Sequence, residues 1–175
     1  MKYALPALCF AMLFCSSCEV KVNTGDDDKT KPAASTGSNS KIRNNIDVKS
    51  SGGLKVEQAF LLFEDGSLVP ADNKIKVNQK VNLRLIIKGF KEENGKVYFG
   101  ASEKITTNEG GVIVDVPDLF IDYEKDGVTP EQASYITLMA TITEVDKLFD
   151  YFLVSFRVWD KKANGEITGS YKLYL

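Results

Sequence analysis

An antiparallel β-sandwich of about seven strands is the fold predicted for residues 54–175, and three observations predict it. Apolar and polar residues alternate with a period of two, glycine-containing turn signals recur every ten to thirty residues, and almost nothing reads as helix. Val81, Leu83, Leu85 and Ile87 alternate with Asn82, Arg84, Ile86 and Lys88. Ile136, Leu138, Ala140 and Ile142 alternate in the same way with Tyr135, Thr137, Met139, Thr141 and Thr143. Such alternation places one set of side chains on a buried face and the other on a wetter one. Asp65-Gly66, Asn94-Gly95, Gly110-Gly111, Asp126-Gly127 and Asn164-Gly165 supply the turns. The single helical signal runs from Thr129 to Ala133, with Thr129 as N-cap and Pro130 at the first helical position.

Taken in order, strands are expected near 54–64, 80–89, 96–105, 112–116, 134–145, 150–160 and 166–175. Seven short strands in this length imply an all-β, immunoglobulin-like sandwich, with a small β-barrel as the alternative. The Cys-Trp-Cys pattern of antibody domains is absent, so the likeness is architectural. The last hairpin can be read in register. Pairing Trp159 with Glu166 sets Val158 against Ile167, Phe156 against Gly169, Val154 against Tyr171 and Phe152 against Leu173. Every one of those pairs has an apolar member, and Gly169 leaves room for the Phe156 ring. That face is therefore core, because a slip of one residue would send the whole apolar set outward.

The first residues are organised differently. Lys2 precedes an apolar run from Tyr3 to Phe14, and Cys15-Ser16-Ser17-Cys18 closes the segment. A charged start, a run of about a dozen apolar residues and small residues before a cut describe a secretory signal, since a spanning helix needs about twenty. Leu13 to Cys18 resembles the lipobox of bacterial lipoproteins. The resemblance implies a signal peptide over residues 1–17, acylation of Cys18 and a membrane anchor made of lipid. The only cysteines are Cys9, Cys15 and Cys18, so the folded part must stand without a disulfide.

Residues 18–53 are expected to be a flexible tether, rich in Lys, Thr, Ser, Asn, Gly and Asp. Such a chain has a root-mean-square span of roughly 30–35 Å. The alternative for Asp47 to Leu54 is an extra strand lying along the domain. Asp26-Asp27-Asp28 resembles the acidic cluster that marks some Gram-negative lipoproteins for the cell surface. The expected address is thus the bacterial outer membrane, facing outward rather than toward the periplasm.

Composition narrows the chemistry. With no histidine anywhere, a Ser-His-Asp triad, a His general base and a His-ligated metal are all excluded. A pI near 5.3, from balanced charges spread along the chain, gives no basic stripe for nucleic acid. The remaining catalytic candidates are carboxylate pairs, Asp115 with Asp118 and Glu103 with Glu109, and none carries a positioning motif. No catalytic residue, cofactor or metal is assigned. Asp122 to Gly127 reproduces the first half of a calcium loop, but Ala133 stands where the closing carboxylate belongs. The outward face of the last hairpin carries Tyr151, Trp159 and Tyr174 with Arg157, a set that suits sugar rings if the aromatics lie exposed and coplanar. The expectation is a lipid-anchored envelope protein that binds or scaffolds, with a protein or glycan partner. A glycan-binding accessory module is the first alternative, and a carboxylate-based hydrolase the second.

Overall fold

The computed structural model describes residues 41–143 and 147–175. The expected signal peptide, Cys18 and most of the expected tether lie outside the described residues. Among the described residues there are eleven strands: β1 (Lys41–Ile42), β2 (Asp47–Ser51), β3 (Lys55–Phe63), β4 (Lys80–Lys88), β5 (Glu92–Glu93), β6 (Lys96–Val97), β7 (Phe99–Thr107), β8 (Val112–Val116), β9 (Tyr135–Thr141), β10 (Phe152–Asp160) and β11 (Glu166–Leu173). Between β8 and β9 lie a short 3-10 turn, Ile121–Tyr123, and a one-turn helix α1 (Pro130–Ala133). All seven expected strands form. The helix forms where its cap predicted, with Thr129 and Gln132 closing a reciprocal capping box.

Two sheets face each other. One runs β1-β3-β4-β9, the other β2-β11-β10-β7-β8, and β5 with β6 makes a separate small hairpin. Both main sheets keep open edges, so the molecule is an immunoglobulin-like sandwich and not a closed barrel. The β10–β11 hairpin pairs Phe152 with Leu173 through Trp159 with Glu166, all eight in the register the sequence implies. Phe152, Val154, Phe156, Val158, Ile167, Tyr171 and Leu173 are buried on its inner face. A Cβ on Gly169 would lie 2.4 Å from the tip of the Phe156 ring, which is why that place holds glycine.

The domain starts earlier than Leu54. β1 runs parallel to β3, and β2 pairs with β11, so residues 41–51 contribute a strand to each sheet. Val48 alternates with polar neighbours too briefly for its strand to stand out in the sequence. Between β1 and β2, Asn44 is buried and bonds widely. Its Nδ2 donates to the carbonyls of Val69 and Pro70 and to Asn73 Oδ1, and its Oδ1 accepts from the Leu61 N–H. Asn73 Nδ2 in turn donates to the carbonyls of Asn44 and Lys172. This pair ties both sheets together at one end.

Candidate functional site

The Tyr151, Arg157, Trp159 and Tyr174 face does not form one platform. Tyr151 and Trp159 are eight residues apart along one extended run, about 27 Å at strand rise. Tyr151 and Tyr174 meet at one end with ring centroids 6.3 Å apart and planes crossed at 62°. Lys172 Nζ sits 3.8 Å from the centre of the Tyr151 ring. At the other end Trp159 lies over Gly100, where a Cβ would come 2.2 Å from the indole. Arg157 stacks 4.9 Å above that indole and donates to Glu166 at 2.7 Å. Both ends are half-buried, and Arg157 is already engaged by its own sheet.

The carboxylate pairs also separate. Glu109 is exposed and bonded to Lys147, whereas Glu103 points into the core from mid-β7. Asp115 pairs with Lys104 at 2.9 Å and Asp118 with Lys161 at 2.9 Å. Among the described residues, no three Asp, Glu, Cys or His side chains are placed to hold a metal, those of the Asp122 to Gly127 loop included.

Glu103 is 4% exposed, its Oε2 has no hydrogen-bond partner among the described residues, and the buried hydroxyl of Tyr171 has none either. Burial raises the Glu103 carboxyl from 4.5 to about 7. Burial, then the proximity of Glu103, raises the Tyr171 phenol. A carboxyl raised on folding holds its proton more tightly in the folded chain, so stability falls as pH rises from about 4.5 through 7. Glu103→Gln should therefore melt with the wild type near pH 4.5 and above it at pH 8. The gain at pH 8 is about 2–3 kcal/mol. Melting curves at the two pH values check this, and an equal effect at both would mean that the carboxyl does not titrate on unfolding.

A different place gathers exposed rings. The chain crosses from β8 in one sheet to β9 in the other through residues 117–134, and this crossing frames a cleft of about 280 Å³. Phe99 from β7 forms its floor, Tyr135, Ile136 and Thr137 from β9 one wall, and Phe120, Tyr123, Val128 and Gln132 the rest. Phe90, Phe99, Phe120 and Tyr123 form a chain of tilted rings at centroid distances of 5.7, 4.7 and 6.1 Å. Tyr123 is 53% exposed and Tyr135 58%.

Backbone and charge fix this crossing. Leu119 N–H donates to the Ala101 carbonyl at 2.7 Å, and Val97 and Val128 exchange two bonds of 2.9 Å. Asp118 accepts from the Phe120 N–H and from Lys161, both at 2.9 Å. Burial pushes the Asp118 carboxyl up, but the bond from Lys161, the Phe120 N–H and the Lys161 charge hold it below its ordinary value. The sequence signal for this cleft is the run Leu119-Phe120-Ile121 with Tyr123 inside an otherwise acidic connection. Apolar residues at loop positions are informative when the loop has to bridge two sheets.

Fold and cleft together define an immunoglobulin-like β-sandwich with an aromatic pocket at the opening between its sheets. It is similar in fold to the crystal structure of the C-terminal domain of wzt, at TM-score 0.50 and 14% sequence identity, covering 75% of this chain and 78% of that one. No family model and no curated protein matches the chain.

Proposed function

We propose that this chain is a lipid-anchored binding or scaffolding protein of the bacterial outer membrane, facing the cell surface, rather than an enzyme. Cys18 carries the lipid and the sandwich presents the aromatic cleft to a partner. The observation that carries the binding role is the cleft: two tyrosines more than half exposed beside a pocket whose floor is a nearly buried Phe99. Exposed rings over a shaped apolar floor lose water favourably when a partner covers them. Lipid on Cys18 accounts for the address, since several acyl chains anchor stably where one binds marginally. A glycan-binding role draws support from the same place, because Gln132 and Thr137 put polar groups among the rings.

Two measurements on the full chain in cells test the reading. Cys18→Ala should leave the membrane fraction or remain an uncleaved precursor. A photo-crosslinking residue at Ile121, beside the cleft, should give a discrete adduct in the wild-type background that disappears with Tyr135→Ala. A Cys18→Ala protein that stays processed and membrane-bound would remove the anchor. An adduct indifferent to Tyr135 would remove the cleft.

A further inference from the structure

The two main sheets have four edges, and three of them are guarded. β1 is two residues long, β2 carries Lys49, and β8 carries Asp115 with a register break against β7. Short strands, charges and bulges keep sheet edges from pairing with other chains. β9 has none of these. It runs seven residues with an unbroken register against β4 alone, and residues 132–143 include no charged side chain.

The phase of the β4–β9 ladder is fixed by the Ile87 N–H, which donates to the Ser134 carbonyl at 3.0 Å. Bonded and non-bonded pairs alternate in an antiparallel ladder. Ile136, Leu138 and Ala140 thus turn their main-chain groups toward β4, and Tyr135, Thr137 and Met139 turn theirs outward. Among the described residues, nothing outside the strand bonds to those three N–H and three C=O groups. Tyr135 and Thr137 also line the cleft, so the open edge and the pocket are continuous.

Charge selects the occupant. The crossing segment from Pro117 to Ala133 holds Asp118, Asp122, Glu124, Asp126 and Glu131 against a single Lys125. Of these acids, only Asp118 and Glu124 are in ion pairs among the described residues, both with Lys161. A second copy of this chain pairing through β9 would bring two such acidic segments to one interface. A basic strand would meet complementary charge there.

We infer that β9 is a docking edge for an extended, positively charged segment of a partner polypeptide, which adds a strand to the sheet and drops a large apolar side chain into the adjoining cleft. This rests on the reading of the cleft as a binding site. Main-chain bonds to Tyr135, Thr137 and Met139 supply affinity, and the pocket reads alternate side chains of the added strand.

The test uses Gly37–Leu175, a compact unit that contains every described strand. The probes are a ten-residue peptide of alternating Lys and Val with one central Phe, its Glu counterpart, and the Lys peptide N-methylated at alternate positions. Amide NMR shifts should appear at Tyr135, Thr137 and Met139 with the Lys peptide. The Glu and N-methylated peptides should bind about tenfold more weakly or worse, the worth of one net hydrogen bond. Thr137→Pro should weaken the Lys peptide by the same factor, since it removes an outward N–H and no ladder bond. Should that variant misfold, the N-methylated probe still decides the question on unaltered protein.

Unshifted β9 amides, equal binding by the N-methylated peptide, or a wild-type dimer that Thr137→Pro makes monomeric would each overturn the inference. A cello-oligosaccharide that shifts Tyr123 and Tyr135 while the peptides do nothing would sink the strand and keep the cleft. A crosslinked adduct in cells that is indifferent to Tyr135 is the separate failure of the cleft itself.

Discussion

Phe156→Ala lowers the free energy of unfolding by about 3–5 kcal/mol, the usual cost of emptying a buried aromatic site. Three features put the effect at the upper end of what one side chain can do. The ring is 4% exposed, it belongs to the central strand of the five-stranded sheet, and its register neighbours are Glu103 and Gly169. Neither neighbour can swing over to fill the space: glycine has no side chain, and Glu103 is itself buried. The cavity therefore stays open, and the lost contacts are not recovered. Urea unfolding at pH 7 measures it. A loss below about 1 kcal/mol would mean that the ring is not held in the core.

Asn73→Ala is expected to cost about as much by another route. Asn73 is 2% exposed and makes three side-chain bonds, at 2.8, 2.9 and 2.9 Å. Removing the amide leaves the Asn44 and Lys172 carbonyls short of a partner inside protein, each at about 1–3 kcal/mol, and takes one of its three acceptors from Asn44 Nδ2. The backbone adds to this, because φ at Asn73 is 56°, a region asparagine tolerates better than alanine. The expected loss is about 3–5 kcal/mol, read by the same unfolding experiment. Asn73→Gly separates the contributions: it loses all three side-chain bonds and keeps the backbone tolerance of a positive φ. Equal stability of Asn73→Ala and wild type would remove the clamp from the account of the fold.

These two residues mark where the sequence was and was not legible. Phe156 could be read because a strand's period of two, combined with a hairpin turn, forces its partners: once Trp159 faces Glu166, all other pairs follow. The α1 cap was legible for a similar reason, since Thr129, Pro130 and Gln132 act on one another within a single turn. Asn73 was not legible. Its partners lie 29 and 99 residues away, and an isolated asparagine in a loop looks the same whether solvated or buried. β2 could be read only as an alternative to tether, because its partner, β11, lies more than a hundred residues downstream.

The candidate site followed the same division. Alternation assigned Trp159 and Tyr151 to the outer side of their sheet but gave no account of what lies between them along the strand. Distance, Gly100 and the Arg157–Glu166 pair decided that they are separate ends. The cleft depends on a crossing between sheets, which brings Phe99 beside Phe120 and Tyr135 across long stretches of chain. Local pattern carries no information about such a meeting until the sheet order is known.

The order in which the first two strands enter the sandwich has a mechanical consequence. Tension arriving along the chain at Lys41 meets β1 first, a two-residue ladder beside β3 that offers little resistance. Behind it stands the Arg43 N–H bonded to Ala59, and then Asn44, fastened at once to the Val69, Pro70, Asn73 and Leu61 positions. Those fastenings must fail nearly together, whereas the bonds of a peeled strand fail one at a time. The buried amide thus works as a knot in a rope, and a pull from the N-terminal side of Lys41 would be stopped there before it reached β2, the core or the cleft.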